Sequence, residues 1–160
     1  MSLNKAFISL GANVGNWKNN FNQSFIQINK IGHITNFGSV YLSNPYGFKD
    51  QNFFYNTAIE LTTTLGAVKL MEELKIIEKK IHKNKLFANG PRRIDLDIIF
   101  YNKMIINNKF LSIPHPRRQS DQARHSAAGA TDYERVGPWQ MASSGLPSTW
   151  RPCPPSHRYR

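Results

Sequence analysis

Two aspartates, Asp95 and Asp97, stand two residues apart at the start of an apolar run, in the segment GPRRIDLDIIFYN (residues 90–102). Residues two apart in an extended strand project from the same face of a sheet, so both carboxylates point to one side. The β-branched and aromatic residues that follow predict a strand. Because Leu96 and Ile98 then face the other side, the segment requires a sheet with one apolar face and one face carrying paired carboxylates.

The paired carboxylates point to a cation site. Two like charges side by side repel each other unless a cation lies between them. Arg92 and Arg93 come just before the aspartates, after the turn-forming pair Gly90–Pro91. Carboxylates and a guanidinium group at one strand entrance suit a phosphate chain that carries magnesium. The alternative is an edge strand whose polar face is only solvated.

The preceding chain alternates segments typical of strands and helices. Short apolar runs bounded by turn residues predict strands at residues 6–10, 33–42 and 53–64. Apolar residues at helical spacing predict helices at residues 17–31 and 65–81.

The expected helix ends and the last elements complete the order. Asn16 is the expected N-cap of the first helix and Gly32 its expected C-terminal stop. A hairpin-like piece at residues 104–113 follows the aspartate strand. The resulting order, β-α-β-β-α-β with a C-terminal hairpin, predicts an α+β fold of the ferredoxin-like kind. That fold has an antiparallel sheet with two helices packed on one face.

Composition divides the chain near residue 118. Residues 1–118 contain 16 basic and 7 acidic residues, a net charge of +9, and all twelve lysines. Residues 119–160 contain no Lys, Ile, Asn or Phe and too few clustered apolar residues to offset the entropy of ordering. We therefore predict one domain over residues 1–118. We interpret residues 119–160 as a disordered segment, either frameshifted or vector-derived, with a native disordered tail as the alternative.

Location and membrane association follow from what the sequence contains. No apolar stretch approaches the roughly 18 residues that a membrane-spanning helix needs, and the first residues do not show the layout of a signal peptide. A single cysteine, Cys153, excludes an internal disulfide framework and fits a reducing compartment. We expect a cytoplasmic protein that has no membrane association.

Four motifs together resemble one enzyme family. They are SLGANVGN (residues 9–16), NPYGFKDQNFFYN (44–56), GPRRIDLDIIFYN (90–102) and IPHPR (113–117). Over about residues 3–117 the chain resembles the 6-hydroxymethyl-7,8-dihydropterin pyrophosphokinases of folate biosynthesis. The resemblance implies an ATP-dependent diphosphotransferase that moves pyrophosphate from ATP to the hydroxymethyl oxygen of the pterin and releases AMP.

The resemblance also assigns the phosphate and metal residues. Asp95 and Asp97 match the aspartates that hold two magnesium ions against ATP, and Arg92 matches an arginine that grips the phosphates. Family members usually have arginines in the basic segment before the Gly-Pro-Arg motif, where this chain offers Lys83 and Lys85.

The ATP-binding set implied by the resemblance comes from three segments. It comprises Glu78, Ile98, Ser112 and His115. For Glu78, a surface charge pair within its helix is the alternative.

The resemblance places the pterin on the strand next to the aspartates. Asn56 would read the ring edge and Phe54 would stack on the ring, and the two share one face of a strand. The backbone of residues 43–46 would add further ring contacts, through Ser43, Pro45 and Tyr46. Core packing is the alternative for Phe54.

The chain departs from the family pattern after Arg117. Family members continue with a basic-aromatic segment and a further strand and helix, whereas this chain continues RQSDQARHSAAG. The domain is therefore predicted to be truncated. The alternatives are an inactive chain that still binds ATP, or a ferredoxin-like nucleic-acid-binding module suggested by the charge of +9. We expect ATP and the pterin as partners, no nucleic acid, and a monomer.

Overall fold

The structure, a computed structural model, describes residues 2–82 and 90–116, together with the backbone of residues 133–138. The described elements follow one another as β1 (Asn4–Ala12), α1 (Trp17–Ile28), β2 (His33–Phe37), β3 (Ser39–Ser43), β4 (Phe54–Thr63), α2 (Ala67–Ile81), β5 (Asp95–Tyr101), β6 (Ile106–Asn107), β7 (Ser112–Ile113) and β8 (Tyr133–Pro138).

The strands form one antiparallel sheet and a small hairpin. The main sheet has the order β5-β1-β4-β3-β8, and β2 pairs with β4 beyond the end of β3. Strands β6 and β7 form the predicted hairpin. Mixed elements in this order, with the aspartate strand beside β1, confirm the ferredoxin-like α+β prediction.

Strict alternation on β1 separates the two faces of the sheet. Ala6, Ile8 and Leu10 are at most 1% exposed and join a single core cluster, whereas Phe7 and Ser9 point to the other face. The helices add their apolar sides to the same cluster through Phe21, Phe25, Ile28, Leu70, Leu74 and Ile77. Neither helix of the described ranges is both long and apolar enough to cross a membrane. One face of the sheet is thus covered and the other is open.

Helix α1 begins as predicted and ends earlier. The Asn16 side chain accepts a hydrogen bond from the backbone N–H of Asn19, which confirms the N-cap. The helix ends at Ile28, because after Asn29 the backbone N–H groups of Lys30 and Ile31 bond three residues back in tight turns. Gly32 is therefore not the helix stop. A Cβ at Gly32 would lie 2.7 Å from the carbonyl oxygen of Thr62, so this glycine allows close approach to β4.

The single strand predicted at residues 33–42 is two strands in the structure. The break is at Gly38, whose backbone N–H donates to the Ala58 carbonyl over 2.7 Å. A Cβ at Gly38 would lie 2.9 Å from that carbonyl oxygen. Because both β2 and β3 pair with β4, the chain keeps its partner while changing register at the glycine.

Residues 133–138 form a strand within the segment that we expect to be disordered, and that expectation stays a prediction. Strand β8 pairs antiparallel with β3, with Ser43 opposite Tyr133 and Val40 opposite Gly137. The physical reason is that the outer edge of β3 offers free backbone groups, and backbone pairing needs no apolar side-chain cluster. The domain boundary at residue 118 remains a prediction.

Candidate functional site

The open face of the sheet carries the polar side chains of three neighbouring strands. In the strand register Gly11 on β1 lies between Asn56 on β4 and Asp95 on β5, and Ser9 lies opposite Asp97. A Cβ at Gly11 would come within 3.2 Å of the Asn56 side-chain oxygen. The glycine therefore forms a flat floor between the carboxylates and the asparagine.

An open cavity of about 790 Å³ lies over this floor, in the size range of small-molecule sites. Its lining combines carboxylate, guanidinium, amide, hydroxyl and aromatic groups. The lining residues of the sheet and of the loops around it include Ser9, Gly11, Gly38, Tyr41, Ser43, Asn44, Tyr46, Phe54, Asn56, Arg92, Asp95, Asp97, Ile99, His115 and Pro116.

Arg92 links the two sides of the cavity. Its Nη1 donates to Asp95 Oδ2 over 2.6 Å, and its guanidinium carbon lies 5.4 Å from the centre of the Phe54 ring. Arg92 is only 9% exposed, and its Nε has no hydrogen-bond partner among the described residues. A buried donor without a partner costs roughly 1–3 kcal/mol, which an anionic ligand in the cavity would recover.

Asp97 is held from the helix side by Lys75. Lys75 Nζ lies 3.2 Å from Asp97 Oδ1, 2.7 Å from Glu78 Oε1 and 2.9 Å from the carbonyl oxygen of Leu96. Glu78 Oε1 also accepts from the backbone N–H of Leu96. Two side chains of α2 thus bond both backbone groups of Leu96 at the outer edge of β5.

Burial and charge act in opposite directions within this Lys75–Glu78 clamp. For Lys75, burial acts to lower the pKa, but the negative charges of Asp97 and Glu78 outweigh it and the pKa is raised. For Glu78, burial is the largest effect and raises the pKa, more than Lys75 and the Leu96 N–H lower it. Lys75 is therefore firmly cationic, and its charge balances the aspartate beside it.

The two aspartates fit a magnesium site in the chemistry of their donors. One oxygen of each is engaged, Asp95 Oδ2 with Arg92 and Asp97 Oδ1 with Lys75. The other oxygen of each carboxylate has no hydrogen bond to a described residue. Hard carboxylate oxygens suit magnesium, which commonly takes one or two protein carboxylates and completes its shell with water and phosphate. No group of three or more His, Cys, Asp and Glu side chains lies close enough to hold a metal within the described ranges.

The predicted pterin residues come from the end of β3, the loop after it and the start of β4. Asn56 Nδ2 donates to Ser43 Oγ over 2.8 Å and to the Phe54 carbonyl over 3.2 Å. Phe54 and Tyr46 line the same cavity, and Tyr46 is 64% exposed. Pro45 does not line it. The Phe54 ring faces the cavity on the open side of the sheet, so the alternative of core packing does not hold.

The residues predicted to bind ATP are scattered. His115 lines the cavity, and its backbone N–H donates to the carbonyl of Ile99. Ser112 lies in β7 outside the lining. The side chain of Ile98 is fully buried on the covered face, because strand alternation turns it away from the aspartates, so it cannot contact a ligand in the cavity. Glu78 forms the clamp at the edge of β5 and does not line the cavity.

Three further basic residues were considered for the phosphate side, and the structure describes one of them. Arg93 is exposed and does not line the cavity. Lys83 and Lys85, predicted to act on the phosphates, lie outside the described residues.

Sequence reasoning missed three residues that shape the site. Gly11 forms its floor, Lys75 balances Asp97, and Asn13 bonds the backbone of Arg92. The only signals were the position of Lys75 one turn before Glu78 and the polar side chain of Asn13 within the turn after β1.

Comparison with known proteins decides the family. The family model described as 7,8-dihydro-6-hydroxymethylpterin-pyrophosphokinase (HPPK) matches residues 7–123. The chain belongs to the HPPK family. A Bacillus subtilis relative named "2-amino-4-hydroxy-6-hydroxymethyldihydropteridine pyrophosphokinase" is 31% identical over 155 residues, which cover 88% of this chain and 93% of the relative.

Other HPPK relatives are much longer proteins. "Folic acid synthesis protein fol1" of Pneumocystis carinii is 41% identical over 112 residues, covering 69% of this chain and 15% of that protein. A "Folate synthesis bifunctional protein, mitochondrial" of Pisum sativum is 40% identical over 111 residues. This chain spans 22% of the length of that protein. The chain thus spans less than a quarter of the length of these relatives.

Solved structures support the fold. A Plasmodium falciparum HPPK-DHPS structure superposes with a TM-score of 0.53 at 17% identity, covering 66% of this chain and 31% of that one. An HPPK-DHPS complex with substrates has a TM-score of 0.51 at 16% identity. At these identities the likeness concerns the fold alone.

Proposed function

We propose that this HPPK-family chain transfers the pyrophosphoryl group of ATP to the hydroxymethyl oxygen of 6-hydroxymethyl-7,8-dihydropterin and releases AMP. The observation that carries the proposal is one cavity in which Asp95, Asp97 and Arg92 face Asn56 and Phe54. The first three groups suit a metal-bound phosphate chain, and the last two suit a flat, polar-edged ring. A reaction between two substrates needs both sets within one site.

The phosphate side neutralises charge. Asp95 and Asp97 would hold magnesium, two ions in our proposal, which would withdraw charge from the phosphate oxygens when bound. The Arg92 guanidinium, with a planar fork and an unused Nε–H, would bind phosphate oxygens directly. Lys83 and Lys85 complete the proposed phosphate set. Titration of magnesium against a non-hydrolysable ATP analogue should give two ions per chain, and one ion would contradict the count.

The pterin side orients the nucleophile. Asn56 would present its free side-chain oxygen to the donor groups of the ring edge, because its Nδ2 is already held by Ser43. Phe54 would provide a stacking face, and its position under Arg92 ties the ring to the phosphate side. The hydroxymethyl oxygen then bonds to the β-phosphorus, the bond from that phosphorus to the AMP oxygen breaks, and the hydroxyl proton is released.

The adenosine would extend toward the loop at the end of the hairpin. His115 and Pro116 line that end of the cavity, and we propose that Ser112 and Glu78 contact ATP only if the described arrangement changes on binding. Ile98 contributes at most backbone atoms. We further propose that the chain is a monomer in the cytoplasm. Sedimentation of the purified protein would test the monomer, and cell fractionation would test the location.

The deciding experiment is an assay of AMP formation with ATP, magnesium and the hydroxymethylpterin. AMP that depends on both magnesium and pterin supports the proposal. Magnesium-dependent ATP binding without AMP would identify an inactive ATP-binding chain. Salt-sensitive RNA binding that ignores magnesium would identify a nucleic-acid-binding module. A second chain with a family-like ending after Arg117 should be more active if the domain is truncated.

Replacing Asn56 with alanine should weaken pterin binding selectively. The change removes both the ring-facing oxygen and the bond to Ser43. An unmatched buried polar partner costs about 1–3 kcal/mol, so the KM for the pterin should rise by roughly tenfold to a hundredfold. The KM for ATP should stay within a factor of about two, because the loss is confined to the pterin edge.

Asn36→Ala is the matched control, since Asn36 is exposed on β2 and does not line the cavity. Steady-state kinetics with each substrate varied in turn separate the two KM values. A pterin KM equal in Asn56→Ala and Asn36→Ala would remove Asn56 from the ring site.

A further inference from the structure

Asn13 hydrogen-bonds to two segments that are far from it and from each other in the chain. It follows β1 directly and is 5% exposed. Its Oδ1 accepts from the backbone N–H of Arg92 over 2.9 Å, and its own backbone N–H donates to the Arg92 carbonyl over 3.0 Å. Its Nδ2 donates to Gln51 Oε1 over 2.9 Å and to the Asn52 carbonyl over 3.0 Å. The Asn52 side chain returns a bond to the Asn13 carbonyl.

The two segments that Asn13 joins carry opposite sides of the cavity. Arg92 presents its guanidinium to Asp95 on the phosphate side. Asn52 comes two residues before Phe54, the first residue of β4 and a lining residue of the pterin side. The Asn13 side chain thus hydrogen-bonds to both segments at once. A side-chain amide has two donors and an oxygen that accepts twice, so asparagine is suited to bridging two backbones at once.

We propose that Asn13 is a positioning residue that sets the distance between the phosphate side and the pterin side of the HPPK site. The proposal rests on the proposed pyrophosphoryl transfer. Asn13 does not line the cavity and so touches neither substrate. It acts through the backbones of Arg92 and Asn52, and a displacement of about 1 Å between reacting groups can lower a rate by on the order of a hundredfold.

The expected signature of Asn13→Ala is a fall in kcat with little change in KM. Each side of the site keeps its own contacts, so ATP and pterin should bind with KM values within about threefold of wild type. Their alignment is lost, so kcat should fall by about tenfold to a hundredfold. Asn13→Asp keeps an acceptor for the Arg92 N–H and loses the donor to residue 52, and its kcat should lie between those of wild type and Asn13→Ala.

Thr63→Val is the matched control for loss of a buried polar contact. Thr63 is 1% exposed, and its hydroxyl donates to the Ile31 carbonyl over 2.6 Å at the opposite end of β4 from Phe54. Thr63→Val should lower the melting temperature without lowering kcat. Equal losses of kcat in Asn13→Ala and Thr63→Val would show a general effect of destabilisation and overturn the proposal. So would an Asn13→Ala enzyme whose kcat stays within a factor of about three of wild type.

Hydrogen exchange provides a readout that does not need turnover. Asn13→Ala should speed exchange in peptides covering residues 51–54 and 90–95 together, and Thr63→Val should leave both unchanged. Unchanged exchange in either peptide of Asn13→Ala would overturn the proposal. A wild-type chain that forms no AMP would contradict the proposed function. The exchange comparison would then still decide whether Asn13 couples the two segments.

Discussion

Asp97→Ala should abolish magnesium-dependent AMP formation while the protein stays folded. Metal stabilisation of transition-state charge amounts to several kcal/mol, so turnover should fall by on the order of a thousandfold or more. The fold should survive because Lys75 keeps its bonds to Glu78 and to the Leu96 carbonyl after Asp97 is shortened. Initial rates of AMP release at increasing magnesium concentration measure the loss, and a thermal melt measures stability.

Glu72→Ala serves as the control for removing a carboxylate. Glu72 lies on α2 with its side chain 60% exposed, and among the described residues it pairs with Lys69 alone. Its AMP rate should match that of wild type. Normal AMP formation by Asp97→Ala would contradict the assignment of Asp97 to the metal.

Arg92→Ala should cause a large loss of activity, second only to that of Asp97→Ala among the variants described. The guanidinium pairs with Asp95, and its Nε–H has no hydrogen-bond partner among the described residues. The side chain is nearly buried. Loss of one positioned donor to developing charge typically lowers kcat by about a hundredfold to a thousandfold. Arg92→Lys should recover part of this loss, because lysine restores the charge without the planar fork.

The neighbouring Arg93→Ala is the matched control for Arg92→Ala. Arg93 has the same side chain one position away, but it is exposed and outside the cavity lining. Its kcat and its KM for ATP should equal those of wild type. Similar losses in both variants would mean that overall positive charge, and not the position of Arg92, supports the reaction.

The local patterns in the sequence predicted the parts of the site that depend on strand alternation. Asp95 and Asp97 share the open face, and Asn56 and Phe54 share it on β4, because the period of a strand leaves no other choice. The N-cap at Asn16 was equally local. These predictions needed no knowledge of which segments meet.

Contacts between distant segments were outside the reach of such patterns. Asn13 contacts residues 38 to 79 positions away, and its place in the turn after β1 does not indicate which segments it bonds. The role of Glu78 depends on α2 passing the edge of β5, so its contact with Leu96 appears only in the folded chain. The assignment of Ile98 to ATP came from the family resemblance and conflicts with the alternation that places its side chain in the core.

The Lys75–Glu78 clamp also affects how this protein meets other copies of itself. Among the strands that the structure describes, β5 is the last on its side of the sheet. An outer strand with free N–H and C=O groups can recruit a strand from another molecule. At Leu96 both groups are already bonded to charged side chains. An incoming strand would have to displace this partly buried ion pair before it could bond there. We therefore expect the clamp to protect the edge beside the aspartates from aggregation.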